Sequence, residues 1–197
     1  VILGTNTPTT PTRGWDRTPV VVIDPGHGGK MTGAFHYGVK EKDLNLDISK
    51  RLDALLKKEG IKTIMTRYDD SHVGLYTRAE LANNINADLF VSIHNNAGSP
   101  RTSGSMVLYY PGGRGFTSKH FAAIVQNELV ETLRTRDLGI IARPRLAVLR
   151  KTKMPAVLAE IAFMTNSSDM SKLKSSDFRQ RAAEALKEGI IKALNEK

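Results

Sequence analysis

The 197-residue chain contains no cysteine. That excludes disulfide scaffolds, thiol nucleophiles and cysteine-ligated zinc sites together. Aromatic residues are sparse, at 6%, so a nucleic-acid strand would find few stacking platforms. Long hydrophobic runs are missing too. The longest aliphatic stretch is Val20–Ile23, against about 20 residues for a membrane span. No HExxH is present, which removes the helix-borne two-histidine protease motif. No GxSxG elbow is present either, so Ser92, although near His94, gives a serine hydrolase little support. DPGHGGKM is not a phosphate loop. Asp24 stands where the first glycine should be, and Met31 follows Lys30. There are no internal repeats and no heptads. The chain starts at Val1 without a leader and reads as a processed form or a cut fragment.

What remains is globular in composition. Hydrophobic residues make up 40% and charged residues 25%, and the length suits one domain. Lys plus Arg is 29 and Asp plus Glu is 20, a net charge of +9. Such a balance suits a polyanion, either nucleic acid or an anionic cell wall. The clearest basic cluster holds Arg134, Arg136, Arg143, Arg145, Arg150, Lys151 and Lys153 against one acid, Asp137. No aromatics interleave with it, so charge by itself indicates a solvated basic face.

Residues 1–18 are rich in Thr and Pro and read as a linker or tail, with the domain running over 19–197. From there strand-like and helix-like runs alternate. Strands are expected at Val20–Asp24, Thr63–Thr66, Leu89–His94, Ser103–Tyr110, Leu146–Leu149 and Ala156–Ile161. Helices are expected at Asp43–Glu59, ended by Gly60, at Thr77–Ile85, at Phe121–Leu133, and from Ser176 or Asp177 onward. Thr77 with Glu80 three residues on predicts a capping box. The alternation predicts one α/β domain with a mixed, mostly parallel sheet and helices on both faces.

Three polar groups stand where hydrophobic strands run out. VVVIDPGHGG places His27 just beyond one strand, LFVSIHNN places His94 at the end of another, and PAVLAEIAFM places Glu160 in a third. In such sheets the carboxyl ends of strands converge on the ligand crevice. Two neutral imidazoles suit Zn²⁺, and one further oxygen ligand leaves a position open for water. Asp24, Glu41, Asp43 and Asp47 are candidates for that ligand, and spacing does not choose among them. Glu160 interrupts an apolar run, so it is either salt-bridged to a nearby arginine or a carboxyl held for acid/base work.

Six segments carry a family resemblance: DPGHGG (24–29), GVKEKDLNLDISKRL (38–52), MTR (65–67), LYTRAELAN (75–83), ADLFVSIHNN (87–96) and KMPAVLAEIAFMTN (153–166). Together they resemble the zinc-dependent N-acetylmuramoyl-L-alanine amidases, bacterial cell-wall hydrolases, over about residues 19–195. The resemblance implies a six-stranded mixed sheet flanked by helices. It implies Zn²⁺ held by His27, Glu41 and His94, with Glu160 as the catalytic glutamate. The implied reaction is hydrolysis of the amide between N-acetylmuramic acid and L-alanine. Arg67, Arg78 and Arg150 match basic positions of the motifs, with no chemistry assigned to them. Where the family often has a small residue after the second histidine, this chain has Asn95, and Asn95 and Asn96 become candidates for substrate contact.

The implied partner is peptidoglycan, with anionic wall polymers attracted by the basic surface. The implied place is the cell envelope or the extracellular space. Neither nucleic acid nor a membrane span is expected. About ten residues, Asn95 to Gly104, separate His94 from the next strand, too few for the inhibitory helix that plugs some members. The Thr/Pro-rich start suggests an upstream wall-binding module. The competing readings are a zinc carboxypeptidase or aminopeptidase of related architecture, and a non-catalytic wall-binding module.

Overall fold

A computed structural model describes residues 15–113 and 115–197. Its centre is built from short, largely apolar runs, the pattern of strands buried on both faces. They form β1 (Val20–Pro25), β4 (Lys62–Met65), β5 (Leu89–Asn96), β6 (Ser105–Tyr109), β7 (Asp137–Ala142) and β8 (Ala156–Phe163). The sheet order is β4-β1-β5-β8-β6-β7. The first four strands are mutually parallel, β6 is antiparallel to β8, and β7 is parallel to β6. A two-stranded hairpin, β2 (Phe35–His36) with β3 (Val39–Lys40), stands apart from the sheet.

Two apolar layers cover the sheet. On one face α1 (Glu41–Lys58), α3 (Ser118–Leu133) and α6 (Ser176–Glu196) bury Ile48, Leu52, Phe121, Leu129, Leu186 and Ile190 against Val21, Ile23, Val91 and Ile161. On the other face α2 (Leu75–Asn84) and the short α4 (Ala147–Lys151) cover Val22, Phe90, Ala156 and Leu158. This second cover is partial. Glu160 lies two residues beyond Leu158, toward the carboxyl end of β8. The remaining helix, α5 (Ser167–Lys174), follows β8 and is capped by Asn166, whose side chain accepts from the Asp169 N–H.

Two expectations change. The run 146–149 is not a strand: Val148 and Leu149 are buried in α4, and so short an apolar run has no period that separates strand from helix. The capping box at Thr77 does not form. The chain enters α2 two residues earlier, with extended Gly74 at the N-cap and no side-chain cap, so Thr77 lies inside the first turn. The edge strand β7, the β2–β3 hairpin and α5 carry no periodic signal strong enough to read.

Residues 15–18 lie against the domain. Trp15 Nε1 donates to Asn195 Oδ1 at 3.1 Å, and Asp88 pairs with both Arg17 (2.7 Å) and Lys197 (2.8 Å). The rest of the expected tail, residues 1–14, lies outside the described residues. Among the described residues no helix is long and apolar enough to cross a membrane.

Candidate metal centre

The loop after β1 is shaped by its glycines. His27 itself has φ 61°, a left-handed conformation that costs energy for a residue with a Cβ. Gly26 lies against the His94 ring, and a Cβ there would fall inside it. Gly33, at φ 66°, lies against the Glu41 carboxylate and the His27 ring. These are close backbone approaches that only glycine permits.

Two buried arginines hold this loop in place. Arg78 donates from Nη1 to Asp24 Oδ1 (2.7 Å) and Pro25 O (2.8 Å), and from Nη2 to His27 O (2.7 Å). Arg67 donates to Pro25 O (3.0 Å), Gly26 O (2.9 Å) and Lys42 O (2.9 Å). The Arg78–Asp24 pair is fully buried. Thr66 and Ser92 hydroxyls complete the Asp24 carboxylate at 2.6 and 2.7 Å. The sequence placed both arginines in motifs but gave no hint of this clamp, because their partners are backbone carbonyls brought together only by folding.

Glu41 begins α1 and turns its carboxylate between the two histidines. His27 Nε2 lies 3.0 Å from Oε2, and His94 Nδ1 lies 2.9 Å from Oε1. The imidazole rings meet edge to face with centroids 4.8 Å apart. One ligand atom from each of the three residues lies within 4.8 Å of the others. The carboxylate is further held by Ala34 N–H (2.9 Å), Asn45 Nδ2 (3.2 Å) and Asn95 N–H (3.3 Å). Burial pushes the Glu41 carboxyl up, but hydrogen bonds from His27 and His94 outweigh it and hold the group far below the ordinary carboxylate range. Burial pushes His94 down, while Glu41 and Glu160 together bring it above its ordinary value.

The other candidate carboxylates are occupied elsewhere or point away. Asp24 belongs to Arg78. Asp47 ties Arg51 and Arg179 across α1 and α6. Asp43 is exposed on α1.

Glu160 and His94 are register partners on neighbouring parallel strands. Among the described residues Glu160 forms no salt bridge, and its Oε2 is buried with no hydrogen-bond partner. Burial and the nearby Glu41 charge raise its pKa to about 7, against the opposing pull of His94 and Arg143. Asn95 is 2% exposed. Its side chain donates to Asn45 Oδ1 at 2.9 Å. It faces α1 behind Glu41. Asn96 is half-buried, its Oδ1 accepting from the Ala97 N–H. Asn45, which the sequence did not single out, joins Gly26 O, Glu41 and Asn95.

The fold matches a known class of enzyme. An N-acetylmuramoyl-L-alanine amidase from Clostridium difficile 630 superimposes with a TM-score of 0.88 and 37% identity, covering 91% of this chain and 98% of that one. The catalytic domain of CwlV from Bacillus (Paenibacillus) polymyxa does so with a TM-score of 0.85 and 34% identity, covering 91% and 100%. These neighbours define an amidase catalytic domain. The profile of the N-acetylmuramoyl-L-alanine amidase family matches residues 21–192, and the chain belongs to that family. It is 42% identical to Bacillus subtilis YqiI over 170 residues, 86% of this chain and 82% of that protein. It is 40% identical to the Bacillus subtilis N-acetylmuramoyl-L-alanine amidase LytC over 87% of this chain, and spans 34% of LytC.

Proposed function

We propose that this amidase uses Zn²⁺ held by His27, Glu41 and His94, with Glu160 as the proton carrier. The observation that carries the reading is the donor set itself. Two imidazole nitrogens and one carboxylate converge within 4.8 Å, and a separate carboxyl with an unpartnered buried oxygen stands beside them. Three nitrogen and oxygen ligands with a position left open are what a catalytic zinc site needs. Bound there, Zn²⁺ supplies Lewis acidity toward water and toward the scissile carbonyl.

The chain's own groups do the rest. Glu160, with a pKa near 7, is suited to take a proton from the attacking water at neutral pH and to return it to the alanine nitrogen. Water adds to the lactyl carbonyl carbon, the C–N bond breaks, and the products are a muramoyl carboxylate and a stem peptide with a free amine. Asn45 and the Asn95 and Ala34 N–H groups fix the Glu41 carboxylate, so the ligand does not reorient when a cation arrives. The Arg67 and Arg78 clamp holds His27 in its strained backbone conformation. Such a reaction places the protein at the cell envelope or outside the cell, where peptidoglycan lies. The net charge of +9 attracts it to anionic wall polymers in a salt-dependent way.

The test is mass spectrometry of fragments released from purified peptidoglycan, with and without chelator. Peptides headed by free L-alanine, appearing only with metal, are expected. Trimmed peptides with the lactyl amide intact would make the protein a peptidase, and unchanged release after complete chelation would remove the metal from the mechanism.

A further inference from the structure

The surroundings of the His27–His94 pair differ in chemistry on the α2 side and on the β6–β7 side. On the α2 side, Met31, Val73, Leu75 and Val148 surround a cavity of about 360 Å³ that reaches His27 and His94. That wall is apolar. On the other side lie β6 and β7. Met106 pairs with Glu160 and Tyr109 with Val157, and Ala142 of β7 pairs with Tyr109. Arg143 extends this ladder by one residue, its N–H donating to Tyr109 O at 2.8 Å.

Alternation along the strands places Arg143 on the same face as Glu160. Ile141 and Leu158 pack in the same apolar layer, and Arg143 and Glu160 each lie two residues further on. The two rows are about 13 Å apart along the strands and about 10 Å across them, from spacings of about 3.3 Å per residue and 4.8 Å per strand. An arginine side chain and one to three extended peptide residues together span that separation. The Arg143 side chain is exposed. Among the described residues it has no ion pair and no side-chain hydrogen bond. Its charge nevertheless acts on Glu160: burial dominates that carboxyl, and Arg143 is one of two groups that oppose it.

The substrate is polarised in the same sense. On its glycan side the muramoyl carboxyl is consumed in the amide and no charge is left. On its peptide side free carboxylates remain. We propose that Arg143 anchors a stem-peptide carboxylate, so that the peptide leaves the scissile bond across β6 and β7 while the neutral glycan lies against Met31, Val73 and Leu75. The assignment rests on the amidase reading and adds to it a direction for the substrate and a residue that selects for charge.

The test uses soluble muramoyl-tripeptides in three forms: both carboxylates free, the second-residue carboxylate amidated, and the C-terminal carboxylate amidated. Wild type, R143K and R143Q are compared in kcat/KM. Wild type is expected to favour one free carboxylate by about tenfold, the scale of a charge-assisted hydrogen bond. R143Q should lose that factor on the free acid, through KM, and leave the matching amide unchanged. R143K should recover part of it. Which amide behaves this way identifies the carboxylate that is held. Equal losses on all three substrates, a preference that survives in R143Q, or no preference in wild type would overturn the assignment. Failure of the amidase reading would look different, as no L-alanine-headed peptide released by wild type from any form. In that case calorimetry with the free tripeptide still decides Arg143, since wild type should bind it about tenfold more tightly than R143Q.

Discussion

His94 and Glu160 face each other as register partners on adjacent parallel strands, β5 and β8. One backbone pairing therefore fixes both the imidazole proposed as a nitrogen ligand and the neighbouring carboxyl. Their separation of 66 residues in the chain has no bearing on the precision of the site, because sheet register sets it.

The first prediction concerns pH. A proton-accepting Glu160 is active when ionised, and its burial has moved its pKa up from 4.5 to about 7. Activity should therefore fall as pH drops and the carboxylate is protonated. A cation bound beside it stabilises the ionised form, so in the metal-loaded enzyme the limb lies below 7. The acid limb of kcat/KM measures this directly. A profile flat down to pH 4 would show that Glu160 is not the group titrating.

Asn45 tests the support behind the metal ligand. Asn45→Ala removes the side-chain donor to Glu41 and leaves Asn95 Nδ2 without its acceptor. Metal affinity should drop by about 10–100-fold with the fold intact. Competition with a calibrated chelator, read beside a circular dichroism spectrum, separates that outcome from simple unfolding.

Arg78 tests the clamp. Arg78→Ala leaves the buried Asp24 carboxylate without its cation and frees the His27 carbonyl, while Pro25 O keeps only its bond from Arg67. Removing one partner of a buried pair costs about 3–5 kcal/mol. Denaturant unfolding should show that loss. Arg78→Ala combined with Asp24→Asn should recover part of it, because the stranded charge is gone. Equal stability of wild type and the single variant would mean that the loop is held by other contacts.

Much of this site is legible in the sequence because strands end abruptly. His27, His94 and Glu160 stand out as polar groups at the ends of short apolar runs, and parallel topology brings such ends together. Glu41 is harder to read. Four acids lie at plausible spacings, and only the family resemblance separates it from Asp24, Asp43 and Asp47. In the structure Asp24 pairs with Arg78, and Asp47 pairs with Arg51 one turn on and with Arg179 of α6. The roles of Arg67 and Arg78 are unreadable, since each acts mainly through backbone carbonyls that no side-chain pattern reports, and Asn45 joins Gly26 O, Glu41 and Asn95, groups that meet only on folding. Asn95 shows the converse. Its place after His94 suggests substrate contact, but strand alternation turns its side chain to the α1 face. The run 146–149 shows how four apolar residues in a row leave helix and strand undecided until packing chooses.

The most direct measurement sets zinc content per chain beside the rate of L-alanine-headed peptide release, for wild type, Glu160→Gln and His94→Ala. Wild type should carry about one zinc and be active. Glu160→Gln should keep its zinc and lose about 10²–10⁴-fold in rate, the range for a general acid–base group. His94→Ala should lose both. Near-normal turnover in Glu160→Gln, or full zinc content in His94→Ala, would contradict the division of labour between the metal ligands and the proton carrier.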